Sequence, residues 1–118
     1  MPLVISTTNT VDQNLAAIID RVTTAGVLID PPERWNATDE IWEDPDSISS
    51  EDEQLTLSEE LPGYYTQTEE DIDGPAENLR IMIVEQNTGV VVGVYYNLAT
   101  SFSAPEVVID LTVTEDRN

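Results

Sequence analysis

Cysteine and histidine are both missing from the 118 residues. Their absence excludes disulfides, thiol nucleophiles, Cys/His zinc sites, histidine-ligated haem and every triad or dyad that needs an imidazole. Lysine is missing as well, so all side-chain positive charge comes from Arg21, Arg34, Arg80 and Arg117. Against these four stand 24 acids, and the net charge is −20. A surface of that sign repels nucleic-acid phosphates, so no direct nucleic-acid contact is expected. No run of about 18 apolar residues is available to span a membrane. The opening Met-Pro-Leu-Val-Ile-Ser has neither the basic start nor the long apolar stretch of a signal peptide. An enzyme would have to work with carboxylates, hydroxyls and arginine alone, so a non-enzymatic role without a resident cofactor is expected.

The charged share, 24%, is ordinary, but it is nearly all carboxylate. In dilute buffer such a chain repels itself, whereas in molar salt the Debye length falls to about 3 Å and the repulsion is screened. Carboxylates also hold water without the apolar stems that lysine would add. In composition the chain resembles proteins of salt-accumulating extreme halophiles, such as haloarchaea and their viruses. That resemblance implies the cytoplasm of such a cell, or a virion, as its place of work.

The acid is unevenly spread. Residues 1–29 carry a net −1, residues 30–77 carry 17 acids against Arg34 for −16, and residues 78–118 carry −3. A single domain is expected, with a strand–helix–strand unit at 1–29, an acidic irregular excursion at 30–77 and a β-meander at 78–118. Leu3-Val4-Ile5 reads as a short strand. Thr10 and Gln13 form a capping box ahead of Val11, Leu15, Ile18, Ile19 and Val22, which fall on one helical stripe, and Gly26 is a natural stop. This spacing predicts a helix over 11–25. Thr38 could cap a second short helix carrying Ile41 and Trp42. Leu55 and Leu57 alternate like a brief strand, and Pro62-Gly63 reads as a turn.

In the last third, 79–86 and 90–98 are rich in Ile, Val and Tyr, and Asn87-Thr88-Gly89 reads as a three-residue hairpin loop. Residues 107–114 alternate like a half-buried strand that completes the meander. The expected fold class is therefore α+β, with one N-terminal amphipathic helix packed on a small, mainly antiparallel sheet.

Two groups of residues stand out as candidate sites. Glu69-Glu70-Asp71-Ile72-Asp73-Gly74 places carboxylates at alternate positions before a glycine, as calcium loops do. Glu69, Asp71 and Asp73 would hold a weakly bound cation (Ca²⁺, Mg²⁺, Na⁺ or K⁺), although position 12 of such a loop is Arg80 and not the bidentate glutamate. A solvated acidic turn explains the same residues more simply. The second group lies on the hairpin. If Gln86 faces Val90, both faces of the two strands are apolar, whereas a small antiparallel sheet ordinarily keeps one face wet. One helix covers one face. The other face, with Met82, Val84, Val90, Val92, Val94 and Tyr96, needs the acidic excursion or another chain, and these residues form the expected interface. Trp35 and Trp42 are expected to pin the excursion to the core. Asn36-Ala37-Thr38 matches the glycosylation acceptor pattern, which arises easily by chance.

These features suggest a structural subunit that works through protein contacts, in a homo-oligomer or a hetero-assembly. A small virion part of a haloarchaeal virus (capsid decoration, head–tail connector or tail component) suits a chain of this size and charge. The alternatives are an acidic inhibitor or adaptor that imitates nucleic acid, and a small ligand-binding domain of a halophile.

Overall fold

The computed structural model describes residues 2–8, 14–73 and 77–98, and the backbone of 107–109. Ten strands run through them in chain order: β1 (Pro2–Thr8), β2 (Leu15–Arg21), β3 (Arg34–Asn36), β4 (Ile41–Glu43), β5 (Leu55–Thr56), β6 (Ser58–Leu61), β7 (Tyr64–Asp73), β8 (Leu79–Glu85), β9 (Val91–Asn97) and β10 (Val107–Ile109). The only helical element among the described residues is a three-residue 3₁₀ turn at Pro45–Ser47. The expected α+β class is therefore wrong, and the chain is a β-protein.

One sheet has the order β10-β1-β7-β6. The other has β4-β3-β2-β8-β9, with β5 also paired to β2. They share one core. Leu3, Ile5, Tyr65 and Ile72 come from the first sheet. Leu15, Ala17, Ile19, Trp35, Leu79, Ile81 and Ile83 come from the second. The inner face of the 79–97 hairpin is thus covered by β1 and β7, and neither a helix nor a second chain is needed there.

The helix expected over 11–25 is replaced by β2 across Leu15–Arg21; Thr10, Val11 and Gln13 lie outside the described residues. The run Leu-Ala-Ala-Ile-Ile satisfies two periods at once. Leu15, Ala17 and Ile19 enter the core, while Ala16, Ile18 and Asp20 are buried on the opposite face. A central strand buried on both faces needs no alternation, so its sequence can mimic a helical stripe. Ile18, Ile19 and Val22 tip the balance, because β-branched side chains lose less freedom in a strand. Gly26 does adopt positive φ (+82°), but it serves the turn that lets Val22 bridge to Leu28.

The acidic stretch is not an excursion either. It supplies β3, β4 and β5 to one sheet and β6 and β7 to the other. The expected helix at Thr38 is the β3–β4 turn, and Ile41 and Trp42 lie on β4. Trp35 is fully inside and packs edge-on against Trp42, with ring centroids 5.1 Å apart. The Arg21 guanidinium lies 4.4 Å from the Trp42 ring centroid. Asn36 is buried with its amide committed to the turn: its Oδ1 accepts from the Thr38 and Asp39 N–H groups, and its Nδ2 donates to Asp39 and Glu43. The acceptor-like triplet at 36–38 is therefore explained by packing. The third meander strand is corrected as well. Residues 107–109 pair in parallel with β1, in the sheet that β9 does not belong to; residues 110–114 lie outside the described set.

Three strands of the second sheet are tied across their outer face by one carboxylate. Asp20 on β2 pairs with Arg34 on β3 and with Arg80 on β8. Its Oδ1 accepts from Arg34 Nε at 2.6 Å, and its Oδ2 accepts from Arg34 Nη2 at 3.1 Å and from Arg80 Nη2 at 2.7 Å. Arg34 Nη1 reaches Glu53 at 2.8 Å. The cross-strand row continues to Glu43 on β4 and Tyr96 on β9. Asp20 holds the Arg34 pKa above its ordinary value through this hydrogen bond, against the opposing effect of burial, with Glu53 adding to the rise.

Replacing Asp20 with Asn should destabilise the fold by about 3 kcal/mol. That is the low end for one partner lost from a buried pair, because both arginines keep some contact with water. Urea unfolding in low and high salt measures it. The loss should persist in high salt, which screens exposed pairs far more than buried ones.

Candidate functional site

Two places on the sandwich collect the residues that the sequence singled out. The first is an acidic cluster at the rim between the sheets. Along β7 the pairing with β1 jumps: Leu3 faces Glu69 and Pro2 faces Asp73, so β1 advances one residue while β7 advances four. Glu70, Asp71 and Ile72 bulge out of the ladder. The bulge lets Ile72 enter the core and swings Asp71 beside Glu69. Glu69 is buried and accepts a hydrogen bond from Trp35 Nε1 at 3.0 Å, which joins the two sheets.

The third member is Glu40, at the end of the β3–β4 turn with φ +59°. Carboxylate oxygens of Glu40, Glu69 and Asp71 lie within 4.8 Å of one another. The structure therefore unites Glu69 with Asp71, places Asp73 opposite Pro2 and outside this set, and adds Glu40. Nothing in the sequence pointed to Glu40, whose arrival depends on a hairpin 30 residues upstream. Three such oxygens are a donor set for a hard cation, though fewer than the six to eight that calcium takes. The charge of Asp71, its hydrogen bond to Glu40 and the charge of Glu69 push the Glu40 pKa above its ordinary 4.5.

The second place is the outer face of β8 and β9. Glu85 N–H donates to the Val90 carbonyl at 2.9 Å, and Gly89 N–H, at φ +75°, donates to the Glu85 carbonyl at 2.8 Å. The loop has four residues, 86–89, and Glu85 replaces Gln86 as the residue facing Val90. A bulge between Ile83 and Val84 then restores the expected register, so that Ile83 faces Gly93 and Leu79 faces Asn97. The slip and the bulge exchange two valines. Val91 takes the outer face opposite Val84, and Val92 turns to the core. Burial raises the Glu85 pKa, but hydrogen bonds from the Thr88 hydroxyl and N–H and the Asn87 N–H outweigh it and hold the carboxyl below its ordinary value.

Of the six expected interface residues, Val84 is buried with Ala16 and Ile18, and Met82 packs half-buried against them. Val90, Val94 and Tyr96 are exposed, at 58%, 49% and 45%, and Val91 joins them. The patch extends further than the sequence indicated. The Tyr96 ring lies beside Gly26, at 3.6 Å from where a Cβ would stand, in the turn that carries exposed Val27 and Leu28. No acid lies between Val90 and Leu98 or between Val22 and Ile29. An open polar cleft of about 460 Å³ near the hairpin tip is lined by Ser50, Glu51, Gln54, Gln86 and Asn87.

Glu40→Gln should stabilise the protein at neutral pH in low salt, because it removes one of three crowded charges. The raised folded pKa also has a sign. The native state binds more protons than the unfolded chain just above pH 4.5, so this group's contribution to stability falls as pH rises through that window. Urea midpoints between about pH 4 and 8 should fall less steeply for Glu40→Gln than for the wild type.

No protein-family model, no curated protein and no solved structure matches this chain, so its function has to be read from its own residues and geometry.

Proposed function

We propose that the chain is a non-enzymatic assembly subunit of a halophilic system, which works by protein contact through the outer face of β8 and β9. The observation that supports this reading is the uncharged, exposed strip of Val90, Val91, Val94 and Tyr96 on a chain of net charge −20. Carboxylates crowd residues 30–77, and a partner meeting those would bury charge at a cost of several kcal/mol per ion. Along the strip a partner covers valine and tyrosine instead, and contiguous exposed apolar surface of this kind marks interaction sites. Size, charge and an all-β build together suit a small virion part of a haloarchaeal virus, such as a capsid decoration, a head–tail connector or a tail component.

The test is fractionation at native salt. The chain should sediment with large particles of its source, and Val94→Lys should release it into the free fraction. Recovery of the wild type only as free protein would overturn the assembly reading. A nucleic-acid mimic would behave oppositely to an assembly subunit, losing a basic partner as salt rises.

A halophilic setting adds a second expectation. The thermal midpoint should rise between about 0.1 M and 3 M KCl, because screening relieves the −16 carried by residues 30–77. An equal or lower midpoint in high salt would remove the halophilic part of the reading.

A further inference from the structure

Among the described residues the outermost strands are β10 and β6 in one sheet, and β4, β9 and the two-residue β5 in the other. β6 carries Glu59 and Glu60 and an irregular register against β7. β4 and β10 are three residues long. β9 is seven residues long and has no charge, no proline and no bulge from Gly93 to Asn97. Natural edge strands are ordinarily blunted by charge, proline or brevity, because their unpaired N–H and C=O groups form a template for another strand. β9 has none of these guards, and it lies on a chain of net charge −20 whose acids crowd residues 30–77.

From this we infer that β9 pairs edge to edge with β9 of a second copy, antiparallel about a two-fold axis, joining two sandwiches through one continuous sheet. The inference rests on the assembly reading and names its partner. The charge pattern favours a second copy over a foreign chain. A partner drawn by charge would settle on the acidic tract and not on an uncharged strip. A copy of the same −20 chain can approach only where neither side presents carboxylates, and β9 with the 22–29 turn is such a place. A strand edge is also complementary to itself when turned through a two-fold, since donors and acceptors alternate along it. On the outer face Val94 and Tyr96 would then meet Val94 and Tyr96 of the copy, and β-branched and aromatic residues make favourable cross-strand pairs. Val27 and Leu28, beside Tyr96, would flank the seam.

Salt sets the sign of the test. Self-association of two like-charged chains should tighten as KCl rises from about 0.1 M to 3 M, whereas a contact held by opposite charges would loosen. Sedimentation equilibrium of the purified chain should show a dimer that strengthens with salt. Hydrogen exchange at the β9 amides should slow in the dimer, with β6 unchanged. Val94→Lys should weaken the dimer about tenfold or more, through lost apolar burial and a guarded edge. It does so while lowering the net charge from −20 to −19, so repulsion cannot be the cause. Leu61→Lys, at a more exposed apolar position on β6, should leave the dimer intact.

A wild type that stays monomeric in high salt, or a dimer that forms without protection at β9, would overturn the inference. A monomer that still enters particles through a Val94-dependent contact would retain the assembly reading and make the partner a different subunit. A monomer that enters no particle would end both.

Discussion

The carboxylate of Asp20 is the constraint on which the second sheet depends. β3 is three residues long and pairs with β2 only where Arg34 meets Asp20. A strand that short has little ladder to hold it, and here the side chains supply what the backbone lacks. Asp20 accepts from arginines on both neighbouring strands, so the same group that seats β3 also fixes the register of β8. Arg34 extends the tie to Glu53, in the turn ahead of β5. Arg21 holds the inner side of the same corner, where it bonds Glu33 and packs over Trp42. Three of the chain's four cations are thus spent on one corner of the fold. Their planar guanidinium forks can each serve two carboxylates at fixed angles, which a lysine ammonium would do less well.

The acid has a different role from the arginines. Residues 30–77 build parts of both sheets, and all of their carboxylates but the buried Glu69 are exposed or half-buried. Where three of them converge, at Glu40, Glu69 and Asp71, the fold holds like charges together because each comes from an element fixed by something else. Glu69 is held by Trp35, Asp71 by the bulge that buries Ile72, and Glu40 by the turn that Asn36 caps. The crowding is a by-product of packing that high salt would relieve. The uncharged β9 strip is the counterpart of this arrangement, since charge kept away from one edge leaves that edge able to meet another surface.

Much of the local structure was legible in the sequence. The strand at Leu3–Ile5, the β8–β9 hairpin, the brief strand at Leu55, the turn at Pro62-Gly63 and the anchoring of Trp35 all follow from local patterns of residue type. The failures share one cause. Leu15–Arg21 is buried on both faces, so its apolar residues fit a helical stripe as well as a strand, and only its partners decide. The residues at 107–109 have a strand pattern, but their partner lies on β1 at the other end of the chain. Val91 and Val92 changed faces because of a bulge that no residue announces. Glu69 and Asp71 were found because they are neighbours in sequence, whereas Glu40 reaches them only through the tertiary fold.

The position of β1 within its sheet shapes how the chain comes together. β1 lies between β7 and β10, so a strand made before both of its partners becomes an interior strand of its sheet. Ile5 meets Gln67 on one side and Val107 on the other, separations of 62 and 102 residues. Until those partners are synthesised, β1 has open hydrogen-bonding edges on both sides and an apolar face with nothing to cover it. Contacts this distant in sequence slow folding, since a long loop must close before any pairing rewards it. β2 meets β8 at a similar distance in sequence, Ile19 with Ile81, so the second sheet can close before β10 is available. The first sheet is therefore completed by β10, which joins the open side of a strand made long before it.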